Sequence, residues 1–183
     1  ELEAHGAPKH LVARAREARA DEVRHAAIVG NLARERGGEL TPVSIASLHV
    51  RSLEEMALEN AVEGCVLETY GAAIGAHQAE CAEDQAIRRA LVDIARDEAR
   101  HAALSHAVHA WVWNKLSPEA RERIELAQAR AIRKLSDELA APLDRELQRA
   151  AGLPTVPVAR RLVNELTETL WSGALFVSSV ASA

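Results

Sequence analysis

Two short segments of the chain carry side chains of the kind that bind metal ions or move protons. Residues 21–27 read Asp-Glu-Val-Arg-His-Ala-Ala and residues 97–103 read Asp-Glu-Ala-Arg-His-Ala-Ala, six matches in seven positions at a spacing of 76. On a helix, Glu-x-x-His puts a carboxylate and an imidazole one turn apart on the same face. Glu22/His25 and Glu98/His101 therefore each offer one oxygen and one nitrogen donor in a single direction. The helical wheel around them is apolar. Leu11, Ala15, Ala18 and Val29 share the face of Glu22, while Ile87, Leu91, Ile94, Ser105 and Val112 share that of Glu98. Acidic and histidine side chains on such a stripe are costly to bury unless they are paired or bind a cation. A single Glu-x-x-His is common on solvated helix surfaces, but two near-identical copies on apolar faces predict a metal site.

The elements that must position these residues are all helices. The chain has 183 residues, 48 % hydrophobic but only 3 % aromatic, and is dominated by Ala, Leu, Arg and Glu, which favour helix. No stretch alternates with a period of two, so the predicted class is all-α. Glu1 to His5 reads as the last turn of a helix closed by Gly6, and Pro8 suits the first position of the next, which stops at Gly37-Gly38. A loop over residues 39–51 follows. Ser52 to Glu55 is a capping box that opens a third helix reaching about Ala79. A turn at Cys81 to Asp84 leads into a fourth helix ending near Asn114. Ser117-Pro118 starts a fifth, kinked or broken at Pro142 and ending near Gly152, and Pro157 begins a sixth from about Val158 to Val177.

Each copy of the repeat sits about fourteen residues into its helix, which predicts two helical hairpins related by a pseudo-twofold axis with the chemistry at mid-height. Further carboxylates are expected from the remaining two helices of such a bundle. On the third helix Glu63 lies about fifteen residues before the turn that Glu98 follows by fourteen, so antiparallel packing selects it over Glu59, Glu68 and Glu80. In the first hairpin the same arithmetic puts the partner of Glu22 about ten residues before Glu1. The expectation is that most of a first helix, with one ligand, precedes the sequence, and that its absence bares Leu11, Val29, Met56 and Ile74.

The paired Asp-Glu-x-Arg-His motifs, with Glu63 thirty-five residues before Glu98, resemble the ferritin-like di-iron carboxylate superfamily. Within it they are similar to the oxygen-activating branch of multicomponent monooxygenases, acyl-carrier-protein desaturases and ribonucleotide reductase small subunits. They also resemble bacterial ferritin-like domain proteins in which Glu-Gly-Cys-Val-x-Glu-Thr recurs, as at Glu63 to Thr69. The resemblance covers roughly residues 1–114. It implies an antiparallel four-helix bundle lacking most of its first helix, with residues 1–116 as the core and 117–183 as two added helices of the same domain. It also implies that Glu22, His25, Glu63, Glu98 and His101 hold two iron ions, manganese or a mixed pair being alternatives. Asp21 and Asp97 would accept from the far nitrogens of the opposite histidines, with Arg24 and Arg100 paired to those aspartates.

Such a centre implies an oxidoreductase that activates O2 or peroxide to oxidise or hydroxylate a small-molecule substrate. A ferroxidase or iron-handling protein is the first alternative, and a metal-free bundle used for association is another. Tyr70 shares the Glu63 face two turns on, as either a redox or gating residue near the metals or core filler. His77 and His109 are expected at the bundle ends, His106 and Glu68 as interhelical polar contacts, and Cys65 as a small buried residue. Cys65 and Cys81, about 24 Å apart along one helix, cannot pair. Trp111, Trp113 and Trp171 are expected to fasten the last two helices to the bundle. A net charge of −5 with interleaved signs argues against nucleic acid, and no apolar run is long enough to span a membrane. A cytoplasmic location is expected, with a homodimer left open.

Overall fold

Local signals set the helix ends. Ala7 N–H bonds the Leu2 carbonyl and Gly6 N–H that of Glu3, with Gly6 at φ +70°, so residues 2–6 form a turn with Schellman-type bonding ahead of the first helix. The computed structural model describes residues 1–43, 49–139 and 144–172. Its elements are α1 (Lys9–Glu35), α2 (Leu53–Glu59), a π-helical segment (Asn60–Glu68), α3 (Thr69–Cys81), α4 (Gln85–Trp113), α5 (Pro118–Glu138), α6 (Arg145–Ala150), α7 (Val156–Leu166) and a π-helical turn (Thr167–Trp171). The all-helical expectation holds for every described element. Pro8 is the N-cap of α1 rather than its first residue, because its ψ of 139° is extended. The Ser52/Glu55 capping box and the Ser117 cap with Pro118 behind it are present. The break expected at Pro142 and the end of the sixth helix near Val177 lie outside the described residues.

α4 is the common neighbour. Asp84 caps it by accepting from the backbone N–H groups of Ala86 and Ile87. On one side α4 meets α1: Asp21 is opposite His101 and His25 opposite Asp97, so residue numbers rise on one helix as they fall on the other, and the pair is antiparallel. The apolar part of that contact is Leu11 against Leu104 and Val108. On another side it runs antiparallel to α2, the π-helical segment and α3, with Gly64 against Ser105 and Gly75 against Ala95. α5 lies along α2 and the π-helical segment, burying Ile124 with Met56 and Ala61, and Ile132 and Leu135 with Val66. No described helix is long and apolar enough to cross a membrane.

Leu11 and Met56 are buried, while Val29 is 54 % exposed and Ile74 is half-buried. The expected bare stripe is thus confined to part of α1 and α3. Leu2, in the short N-terminal turn, packs against the clusters holding Leu11 and Met56 and covers that end. Trp113 stacks under Arg121 of α5 and Trp171 is 1 % exposed against Val66, both as fasteners of the C-terminal helices. Trp111 instead packs between the Leu11 and Met56 clusters.

Gly64 marks the closest approach of two helices. A Cβ there would lie 2.5 Å from Ser105 Oγ and 2.6 Å from Ser105 Cβ, whereas one on Gly71 would meet nothing within 4 Å. Gly64→Ala should therefore destabilise the fold by about 1–3 kcal/mol through overpacking. Gly71→Ala should be neutral or stabilise by up to about 1 kcal/mol, since alanine is the better helix former. Urea unfolding of both variants measures the contrast.

Candidate metal centre

The two repeat segments meet across the α1–α4 contact and bind each other crosswise. His25 Nε2 lies 3.1 Å from Asp97 Oδ2, and His101 Nε2 lies 3.2 Å from Asp21 Oδ2. Arg24 and Arg100 each bridge both aspartates: Arg24 reaches Asp21 at 2.9 Å and also contacts Asp97, while Arg100 reaches Asp97 at 2.7 Å and Asp21 at 3.0 Å. All four members of the Asp–His pairs are buried. Burial opposes ionisation of Asp97, but hydrogen bonds from His25, Arg100 and Arg24 outweigh it and hold its carboxyl at about 2. The hydrogen bond from His101 likewise lowers Asp21, against the opposing effect of burial and with help from Arg24. An ionised carboxylate only accepts, so each histidine presents an Nε2 proton to its aspartate.

That assignment turns the Nδ1 atoms toward the glutamates. His25 Nδ1 is 3.1 Å from Glu98 Oε1 and 3.6 Å from Glu22 Oε1; His101 Nδ1 is 3.1 Å from Glu22 Oε1 and 3.6 Å from Glu98 Oε2. The buried His25 Nδ1 has no hydrogen-bond partner. A carboxylate oxygen and a ring nitrogen at this distance need a positive centre between them, either a proton on Nδ1 or a shared cation. The spacing suits a shared cation: ligands about 2.1 Å from one metal are roughly 3.0 Å apart at right angles and roughly 3.4 Å apart at the tetrahedral angle. Glu22, Glu98 and His101 can each turn one ligand atom to within 4.8 Å of the others.

Charge points the same way. The outer ring balances, two aspartates against two arginines. The inner group sets the carboxylates of Glu22 and Glu98 against the two imidazoles. Burial, and after it the Glu22 charge, raises the Glu98 carboxyl, against the opposing pull of His101 and His25. The Glu22 side chain is 57 % exposed, so the group opens to solvent on the α1 side.

Four of the five expected ligands, Glu22, His25, Glu98 and His101, come together, as do Asp21, Asp97, Arg24 and Arg100. Glu63 does not join them. It is exposed and lines a neighbouring cavity of about 490 Å³ whose floor is Leu104, Ser105 and Val108 of α4. Glu68 lines the same cavity, half-buried, and accepts from Ser105 Oγ at 2.9 Å. An α-helical wheel puts these two glutamates about 140° apart. A π-helix, with its i→i+5 bonds, stacks residues five apart and brings both to one wall. The only sequence hints were Gly64 inside a helical pattern and polar Asn60 and Thr69 around it.

Tyr70 packs with Val66 on the side of α5 and α7, away from the His–Glu group, and burial raises its hydroxyl. His106 meets Thr69 Oγ1 at 3.3 Å and Glu68 meets Ser105, both as interhelical contacts. His77 lies near Cys81, His109 stacks on Trp113, and both cysteines are free, Cys65 buried and Cys81 exposed. Comparison with protein-family models, curated proteins and solved structures finds no match to this chain.

A pH prediction follows from Asp97. Its folded carboxyl, near 2, is below the ordinary value of 3.8, so its ionised form favours the native state at higher pH. Wild-type protein should exceed Asp97→Asn in stability above about pH 4. The difference should shrink as pH falls and vanish near 2. Urea unfolding from pH 6 down to pH 3 reads the trend, and a constant difference would contradict it.

Proposed function

We propose that the chain is a ferritin-like di-iron carboxylate protein, an oxidoreductase that activates O2 or peroxide to oxidise or hydroxylate a small organic substrate. The observation that carries the reading is the buried His25 Nδ1, without a hydrogen bond and aimed at a carboxylate 3.1 Å away while its Nε2 proton is held by Asp97. A metal-ligating histidine is typically held in this way, with the far nitrogen on a carboxylate.

Nitrogen and oxygen donors without thiolate suit iron or manganese. Duplication of the donor set supports a pair of ions, one glutamate and one histidine coming from each half. So does charge: Glu22 and Glu98 supply −2, and Glu63 and Glu68 on the adjoining wall bring the sum to −4, matching two divalent cations. Two such ions supply electrons for the reduction of O2 or peroxide. The chain's own residues do the rest. Asp21 and Asp97 keep the Nε2 protons in place, and Arg24 and Arg100 keep those aspartates ionised and oriented. The cavity walled by Met56 and Val12 and floored by Leu104 offers a substrate about 490 Å³ next to the centre. Its mixture of apolar walls and acidic rim suits a small, partly apolar molecule.

Anaerobic titration with Fe(II), followed by elemental analysis, tests the reading. Two ions per chain are expected. His101→Ala should lose at least one, and Asp97→Asn should bind about 10–100-fold more weakly. Wild-type protein that retains no iron or manganese, or His101→Ala that binds as wild type, would overturn it. Oxygen uptake with iron accumulating well beyond two ions would move the function to iron handling.

A further inference from the structure

The π-helical segment is held from outside by the C-terminal helix. In an unbroken α-helix Thr69 N–H would bond the carbonyl of Cys65; here it bonds that of Val66. The Cys65 carbonyl instead accepts from the indole N–H of Trp171 at 2.8 Å, across 106 residues of chain, and Trp171 is 1 % exposed. The neighbouring Gly64 carbonyl accepts from Thr69 Oγ1 at 3.3 Å, and Asn60 Nδ2 donates to the Ser105 carbonyl at 3.0 Å. Ser105 is one turn beyond His101, its Oγ 3.1 Å from the His101 carbonyl and 2.9 Å from Glu68 Oε2.

We propose that Trp171 is a positioning residue for the candidate centre: through the Cys65 carbonyl it holds residues 60–68 in π register, and that register sets Glu68 beside Ser105, one turn of α4 from His101. Without the indole donor the segment shortens toward α-helical bonding, and Glu68 turns away from the wall it shares with Glu63. The C-terminal helix is then a working part of the site. Its effect on metal rests on the proposed centre; its effect on register does not.

Amide hydrogen exchange tests the register. In the wild-type protein the Trp171 indole proton and the amides of residues 60–69 should be protected to a similar degree, because they open together. Trp171→Phe, which keeps an aromatic ring but removes the donor, should speed exchange of those amides roughly tenfold while leaving α1 and α4 unchanged. A freely exchanging indole proton in the wild type, unchanged rates in the variant, or a uniform rise across α1 and α4 would overturn the proposal. Co(II) absorption reads the coupling. Trp171→Phe and Ser105→Ala should both alter the wild-type band, but only the first should speed exchange in 60–69. An unaltered band in Trp171→Phe would refute the positioning role. A wild type that gives no Co(II) band would refute the metal centre, while exchange would still decide the register.

Discussion

The proton on the Nε2 of each central histidine fixes the rest. Asp97 and Asp21 are buried, ionised and braced by Arg24 and Arg100, so they demand a donor from His25 and His101. With that proton committed, each Nδ1 is left facing Glu22 and Glu98, and a proton or a cation between them joins ring to carboxylate. The α1–α4 interface is therefore balanced on its outer ring and electron-rich at its centre. Burying such a group costs several kcal/mol if it is left unpaired, and a bound cation turns that cost into binding. The antiparallel register of the two helices, the apolar packing of Leu11 on Leu104 and Val108, and the opening at Glu22 all serve this arrangement.

The second constraint is the π-helical segment. Segments of this kind are rare and occur often at functional sites, because they re-aim side chains at the cost of backbone bonds. Here the re-aimed side chains are Glu63 and Glu68, and the affected carbonyls of Gly64 and Cys65 find Thr69 and Trp171. Gly64 lets this widened helix lie directly on α4, where any Cβ would strike Ser105. α5 and α7 form the outer wall through Val66, Ile132 and Val163. The helices that follow the repeat are thus joined to the segment that walls the cavity.

Much of this was legible in the residues. The duplicated Asp-Glu-x-Arg-His, read at helical period, predicts two inward pairs at one height, and the Asp–His crossing accompanies the same motif. Capping residues at Ser52 and Ser117 mark helix starts within a residue or two. The placement of Glu63 was not legible, because height arithmetic assumes 100° per residue and the segment over Asn60–Glu68 departs from it. Nothing in a helical wheel signals that departure, which comes from tertiary contacts at Ser105 and Trp171. Leu11 and Met56 depart from the expected bare stripe for a simpler reason: Leu2 packs over that end and buries them, while Val29 is exposed as expected.

The central claim is that a cation belongs between the Nδ1 atoms and the glutamates. Crystals grown with Mn(II) and measured at its absorption edge test this directly. An anomalous peak about 2.0–2.3 Å from His25 Nδ1 or His101 Nδ1, shared with Glu22 or Glu98, is the predicted result. A map with no peak there, and with Nδ1 of both rings donating to the glutamates instead, would contradict the account.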